Sequence, residues 1–280
     1  MKRQTESDIR QWYSGLHHVI HEQAAFEGLR PLFPMPADGF DDLQAVRAMH
    51  QQAMLATYAS NPAVNALCSA IDYYQRAYLQ VPPLPGDAGP ETETLAAAFW
   101  DRGHVSLGQV APEQAGEMKA YLEAQPVYKQ AHTVGGETGR VEDVRRDNNI
   151  GSIPEAQVIN CPHLWQLALS PRILGLVRRF LGCVPTILNV SAWWSFAGHN
   201  APREAQQFHL DVDDHRFFKL FIYLSDVDME SGPHTYVPGT HDVERVGAII
   251  NSWGDKSKEV IRWYMEDLRK TDEDVTNYLG

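Results

Sequence analysis

Cysteine is scarce in this chain, and basic charge is scarcer than acidic. Three cysteines, Cys68, Cys161 and Cys183, stand far apart and form no Cys-x-x-Cys pair. That argues against a disulfide scaffold or a zinc ribbon and leaves reduced, mostly buried thiols as the expectation. Lysine and arginine number 24 against 36 aspartates and glutamates, a net charge of -12. Nucleic-acid binding needs clustered positive charge, so no nucleic-acid partner is expected. No run of about 18 apolar residues occurs, which argues against a membrane-spanning helix. Met1 to Glu6 is followed by polar residues rather than the apolar run of a secretory signal. The expectation is a cytoplasmic protein with no membrane partner.

What is present is ordinary for a folded protein: 280 residues, 44% hydrophobic, 21% charged and 10% aromatic, enough for one sizeable core with a helical annex. Ile9, Trp12, Tyr13, Leu16 and Ile20 recur at helical spacing, and two further helices are expected before residue 80. A Pro/Gly cluster from Pro82 to Pro90 then reads as a linker. Beyond it, His104–Val110 suggests a short strand and Pro112–Ala124 a helix, while Gly135–Ile153 reads as a loop. Ser170-Pro171 opens a helix that ends at Gly182, since Ser caps, Pro suits the first turn and Gly suits the C-terminus. Strands are expected at Thr186–Phe196, Gln206–Leu210, Phe217–Leu224 and His234–Val237, separated by turn residues. Lys256–Arg269 returns to a helical pattern.

The segment Gln207-Phe208-His209-Leu210-Asp211-Val212-Asp213-Asp214-His215 carries the most chemistry. On a strand, residues two apart share a face, so His209 and Asp211 project together. An imidazole and a carboxylate on one face are two corners of the triad that holds non-haem Fe(II). The competing reading is a surface turn rich in acids. A calcium loop counted from Asp211 would need Gly at position 216 and Glu at 222, where Arg216 and Ile222 stand. A dinuclear hydrolase would need His in place of Asp211, and no His-Glu-x-x-His occurs.

The following residues narrow the choice. Phe217 to Val227, an apolar strand and acidic turn, leads into Gly232-Pro233-His234-Thr235-Tyr236-Val237-Pro238-Gly239-Thr240-His241. From Phe208 to His241 the chain resembles the phytanoyl-CoA dioxygenase family of Fe(II)/2-oxoglutarate oxygenases. A weaker likeness begins near Gly103, and residues 1–90 lie outside it. The resemblance implies Fe(II) held by His209 and Asp211, with 2-oxoglutarate as co-substrate against the strand that follows. Phe221 looks like the family's aromatic residue beside the co-substrate, and Lys219 and Tyr223 share its face by alternation. Lys219 either meets an oxoglutarate carboxylate or is a snorkelling edge lysine. His215, His234 and His241 read as structural or turn residues. Asn189, Ser191 and Trp193 alternate onto one face, where pocket lining and core packing explain Trp193 equally.

The implied fold is α+β: a double-stranded β-helix (jelly roll, cupin-like) with helices packed on one side and an N-terminal helical extension. Residues 1–90 form the helical region and linker, and residues 91–280 the oxygenase-type domain. The family's second iron-binding His and its oxoglutarate Arg have no counterpart after His241, where Arg245, Arg262 and Arg269 lack a preceding His. The expectation is that the domain lacks its last strands, through truncation or through natural divergence. The expected function is hydroxylation of a small organic molecule whose identity is not legible. The alternative is an inactive jelly-roll fragment acting as an interaction module. Its N-terminal aromatics, Trp12, Tyr13, Tyr73, Tyr74 and Tyr78, would serve as an oligomerisation face. A homodimer through an open sheet edge fits either reading.

Overall fold

Helical spacing of apolar residues organises the first third of the computed structural model, which describes residues 6–36, 39–58, 60–82, 89–129, 136–146, 148–196, 206–211, 213–229 and 231–279. Helix α1 (Glu6–Glu22) buries Leu16, His17, Val19 and Ile20. A 3-10 stretch, Ala24–Leu32, turns the chain toward α2 (Leu43–Tyr58) and α3 (Asn61–Ala77). Asp42 accepts the Gln44 and Ala45 amides at 2.8 and 3.2 Å, and Ser60 accepts that of Ala63, so α2 and α3 begin on side-chain caps. Leu16, Val19, Ile20, Leu29, Leu67, Ala70 and Tyr74 close one core between these helices. Each large aliphatic side chain there contributes about 1.5–3 kcal/mol by leaving water.

Residues 83–88, most of the expected linker, lie outside the described residues. Helix α4 (Pro90–Arg102) ends on left-handed Gly103 and α5 (Pro112–Glu123) follows. Strand β1 (Val127–Tyr128) pairs antiparallel with β2 (Thr138–Gly139). After α6 (Val141–Val144), β3 (Ile150–Ser152), α7 (Glu155–Val158) and α8 (Leu164–Ala168) comes α9 (Pro171–Leu181). Its Ser170 cap accepts the Ile173 amide, and Gly182 at φ 75° ends it. Strand β4 (Trp193–Ser195) pairs antiparallel with β3, with Gly151 opposite Trp194. Helices α10 (Val243–Ser252), α11 (Ser257–Glu266) and α12 (Asp272–Leu279) share a core of Val246, Ile250, Val260, Trp263, Tyr264 and Val275. Among the described residues, no helix is long and apolar enough to cross a membrane.

The expected jelly roll is not the fold. The protein is 56% helical and, among the described residues, carries only two small two-stranded sheets, whereas a jelly roll needs about eight paired strands. Of the expected strands, Thr186–Phe196 is paired only around Trp193–Ser195. Among the described residues, Gln206–Leu210 contributes one bridge, Phe208 to Lys270, while His104–Val110, Phe217–Leu224 and His234–Val237 lack ladders. The expected loop, Gly135–Ile153, contains β2, α6 and β3.

The physical reason lies in what a strand signal specifies. Alternating apolar residues fix an extended backbone and its two faces, but not the remote partner that supplies its hydrogen bonds. The alternation survives. Leu220, Ile222 and Leu224 turn inward, and Lys219, Phe221 and Tyr223 outward. Val190, Ala192 and Trp194 likewise pack on the core around Val127, Ile153 and Phe196, while Asn189, Ser191 and Trp193 face out.

Side-chain clamps join these segments to the first helices. Gln75 of α3 donates to the Val184 carbonyl and accepts its amide, both at 2.9 Å. The Arg216 guanidinium donates to Asn65 at 2.7 Å and to the Phe180 carbonyl at 3.2 Å, and lies over the Trp100 ring at 5.0 Å. All three cysteines are free and buried.

Candidate metal centre

His209 and Asp211 emerge from the extended segment anchored by the Phe208–Lys270 bridge, where Lys270 also donates its amide to the Phe208 carbonyl at 2.8 Å. The His209 ring nitrogen Nδ1 lies 2.8 Å from the Gln207 carbonyl. A carbonyl only accepts, so Nδ1 carries the hydrogen and, in the neutral ring, Nε2 carries the lone pair. That nitrogen sits 3.3 Å from Asp211 Oδ1. A lone pair and a carboxylate oxygen repel at this distance unless a proton or another cation lies between or beside them. Neighbouring ligands on a metal with bonds of about 2.1 Å lie about 3.0 Å apart in octahedral geometry. The pair therefore fits two adjacent metal ligands after a shift of a few tenths of an ångström.

Lys219 occupies the other side of the carboxylate. Its Nζ lies 2.6 Å from Asp211 Oδ2 and 3.0 Å from Asp213 Oδ2. Burial lowers the Lys219 pKa, but the bonds and fields of the two aspartates outweigh that effect and leave it raised. Lys219 is ion-paired rather than a snorkelling edge residue.

The other expected co-substrate residues, Phe221 and Tyr223, adjoin His234. Phe221 stacks on His234 with ring centroids 4.3 Å apart and meets Trp193 edge-on at 6.3 Å. The Tyr223 hydroxyl accepts the His234 backbone N–H at 2.8 Å, so its polar end holds the neighbouring segment. Gly232 lets that segment close on β4: its φ is 71°, and a Cβ there would come 2.8 Å from Ser195 Oγ. Burial lowers the His234 pKa against the opposing pull of Asp211, while Lys219 and His209 lower it further. His234 thus shares the electrostatic environment of the pair, although the sequence marks it only as a turn residue. His241 is elsewhere, donating from Nε2 to the Trp100 carbonyl at 2.9 Å.

A second constellation escaped the sequence. His50, Asp214 and His215 place their ligand atoms within 4.8 Å of one another, and no other such group occurs among the described residues. His50 continues the buried stripe of α2 set by Val46, Met49 and Ala53. His215 is 8% exposed and meets His50 edge-on, with centroids 4.9 Å apart. Burial, and secondarily His50, push the His215 pKa down to about 3, and burial lowers that of His50. Both shifts favour the neutral ring, the form in which an imidazole binds a metal. A signal was present in the acidic run ending in His215, but nothing in sequence spacing connects it to His50.

Comparison with protein-family models, curated proteins and solved structures finds no match to this chain.

Proposed function

We propose that the chain is an Fe(II)/2-oxoglutarate-dependent oxygenase that hydroxylates a small organic molecule, with His209 and Asp211 as metal ligands. The carrying observation is the 3.3 Å approach of His209 Nε2 to Asp211 Oδ1, within the segment that resembles phytanoyl-CoA dioxygenases. Ligand sets of this kind belong to sites rather than folds, so the helical architecture does not decide the chemistry. When bound, iron and 2-oxoglutarate with dioxygen supply the oxidising power. The chain's residues bind and orient. His209 and Asp211 would hold the metal. Lys219 exchanges an aspartate oxygen for a co-substrate carboxylate, a substitution of one charge-assisted hydrogen bond for another. Phe221 and Trp193 wall the site and restrict water.

The Lys219 ion pairs favour one second reading, a metal-free interaction module in which an ammonium neutralises Asp211 and Asp213. Succinate release from 2-oxoglutarate distinguishes the two. The oxygenase reading expects slow turnover that requires added Fe(II) and disappears in Asp211→Ala and in His209→Ala. Turnover absent from a well-folded chain at saturating iron and co-substrate contradicts it.

A further inference from the structure

We propose that His50, Asp214 and His215 form a second metal site, separate from the His209 pair, that takes a borderline divalent cation such as Zn(II) and ties α2 to the segment carrying Asp211. Two imidazoles and one carboxylate are the donor set that Zn(II) accepts in sites with three protein ligands and a fourth position for water. Ligands on a tetrahedral zinc lie about 3.4 Å apart, given bonds of about 2.1 Å. The three donor atoms already lie within 4.8 Å of one another, so modest movements of each side chain complete the site.

The scaffold holds the donors on both sides. Helix α2 carries His50, whose buried Nδ1 has no hydrogen-bond partner among the described residues. Asp214 and His215 are fixed from the other side by the next residue, Arg216, through its bonds to Asn65 and the Phe180 carbonyl and its stacking on Trp100. The Asp214 side chain also accepts the His215 amide at 2.7 Å, which orients the carboxylate. Packed against the donors, Tyr13 meets His50 edge-on at 5.2 Å and Phe33 lies 6.3 Å from His215. Burial, then the nearby Asp214 carboxylate, raise the Tyr13 pKa against the opposing pull of Arg47, so the phenol is a neutral neighbour. Asp214 is partly exposed, which gives a cation a route from solvent.

The test is equilibrium dialysis of the full chain against Zn(II), with Co(II) visible absorption as a second readout. It uses a His209→Ala/Asp211→Ala background so that the other pair contributes nothing. The expected result is one equivalent of Zn(II) retained on that background. His50→Ala removes a direct ligand and should then lower the affinity by at least about 100-fold, the most that loss of an outer-shell partner typically costs. Asp214→Asn retains an oxygen for the His215 amide and should weaken binding about tenfold. If circular dichroism shows His50→Ala to be unfolded, Asp214→Asn decides. A background variant that retains no Zn(II), or binding that Asp214→Asn leaves unchanged, overturns the proposal.

Discussion

Helices α1 to α3 and the extended segments between residues 184 and 241 meet the same requirement, backbone hydrogen bonding, in different ways. In the helices each amide finds a carbonyl four residues back, so the bonds follow from the local sequence. The apolar stripe then needs only a neighbour, which Leu67 and Ile20 supply at full burial. In the extended segments, among the described residues, Phe217–Leu224 has no ladder at all, and Thr186–Phe196 is paired only near β4. What holds these segments is side-chain packing on the core around Val127, Ile153 and Phe196. They present Trp193, Lys219, Phe221 and Tyr223 on an outer face. The proposed His209–Asp211 site lies in the extended region, as expected where binding segments are drawn from the less stable parts of a fold.

Mutations should expose that difference. The largest effect is expected at Leu67, which is wholly buried. Leu67→Ala should cost about 2–5 kcal/mol, read as a shift of the urea midpoint. Ile222→Ala removes a side chain only partly covered in its extended segment and should cost about 1 kcal/mol. Equal losses at the two positions would erase the distinction.

A smaller effect is expected at the clamp between the two regions. Gln75→Ala leaves the Val184 amide and carbonyl without their partners, at a cost of about 1–3 kcal/mol. Followed by tryptophan fluorescence and by far-ultraviolet circular dichroism, its unfolding should split into two transitions where the parent shows one. A single coincident transition in the variant would mean that other contacts couple the regions.

The smallest effect is one of pH, to which His17 contributes in the helices alongside the buried His215. His17 is 5% exposed and stacks on His21 with centroids 4.1 Å apart. Burial chiefly, then His21, lower its pKa, against the pull of the nearby Phe33 carbonyl. The unfolded chain therefore takes up a proton before the folded one does. Stability from the neutral ring is present above about pH 6.5 and is lost as pH falls below it. The urea midpoint should drop between pH 7 and pH 5, and drop less in His17→Gln. A parent midpoint that is flat over this range would show that His17 does not carry the dependence.

The same contrast explains what was legible in the sequence. Ser170, Pro171 and Gly182 mark both ends of α9 because caps act within one turn. The shared face of Lys219, Phe221 and Tyr223 was legible because alternation is also local, and the structure keeps it. Strand pairing was not, because Phe217–Leu224 specifies no partner by itself, and the jelly roll inferred from it fails with the missing ladders. The approach of His209 to Asp211 followed from a two-residue spacing. The meeting of His50 with His215 required the packing of α2, which no motif announces.

The central claim is that His209 and Asp211 hold a metal, and Mn(II) titration observed through the histidine imidazole 15N resonances tests it most directly. Assignment uses His209→Gln and His50→Gln, so each ring reports its own site. If the account holds, substoichiometric Mn(II) broadens the His209 resonance strongly and His234 with it, and the His209 effect vanishes in Asp211→Ala. A His209 resonance that stays sharp while the protein saturates with Mn(II) contradicts it.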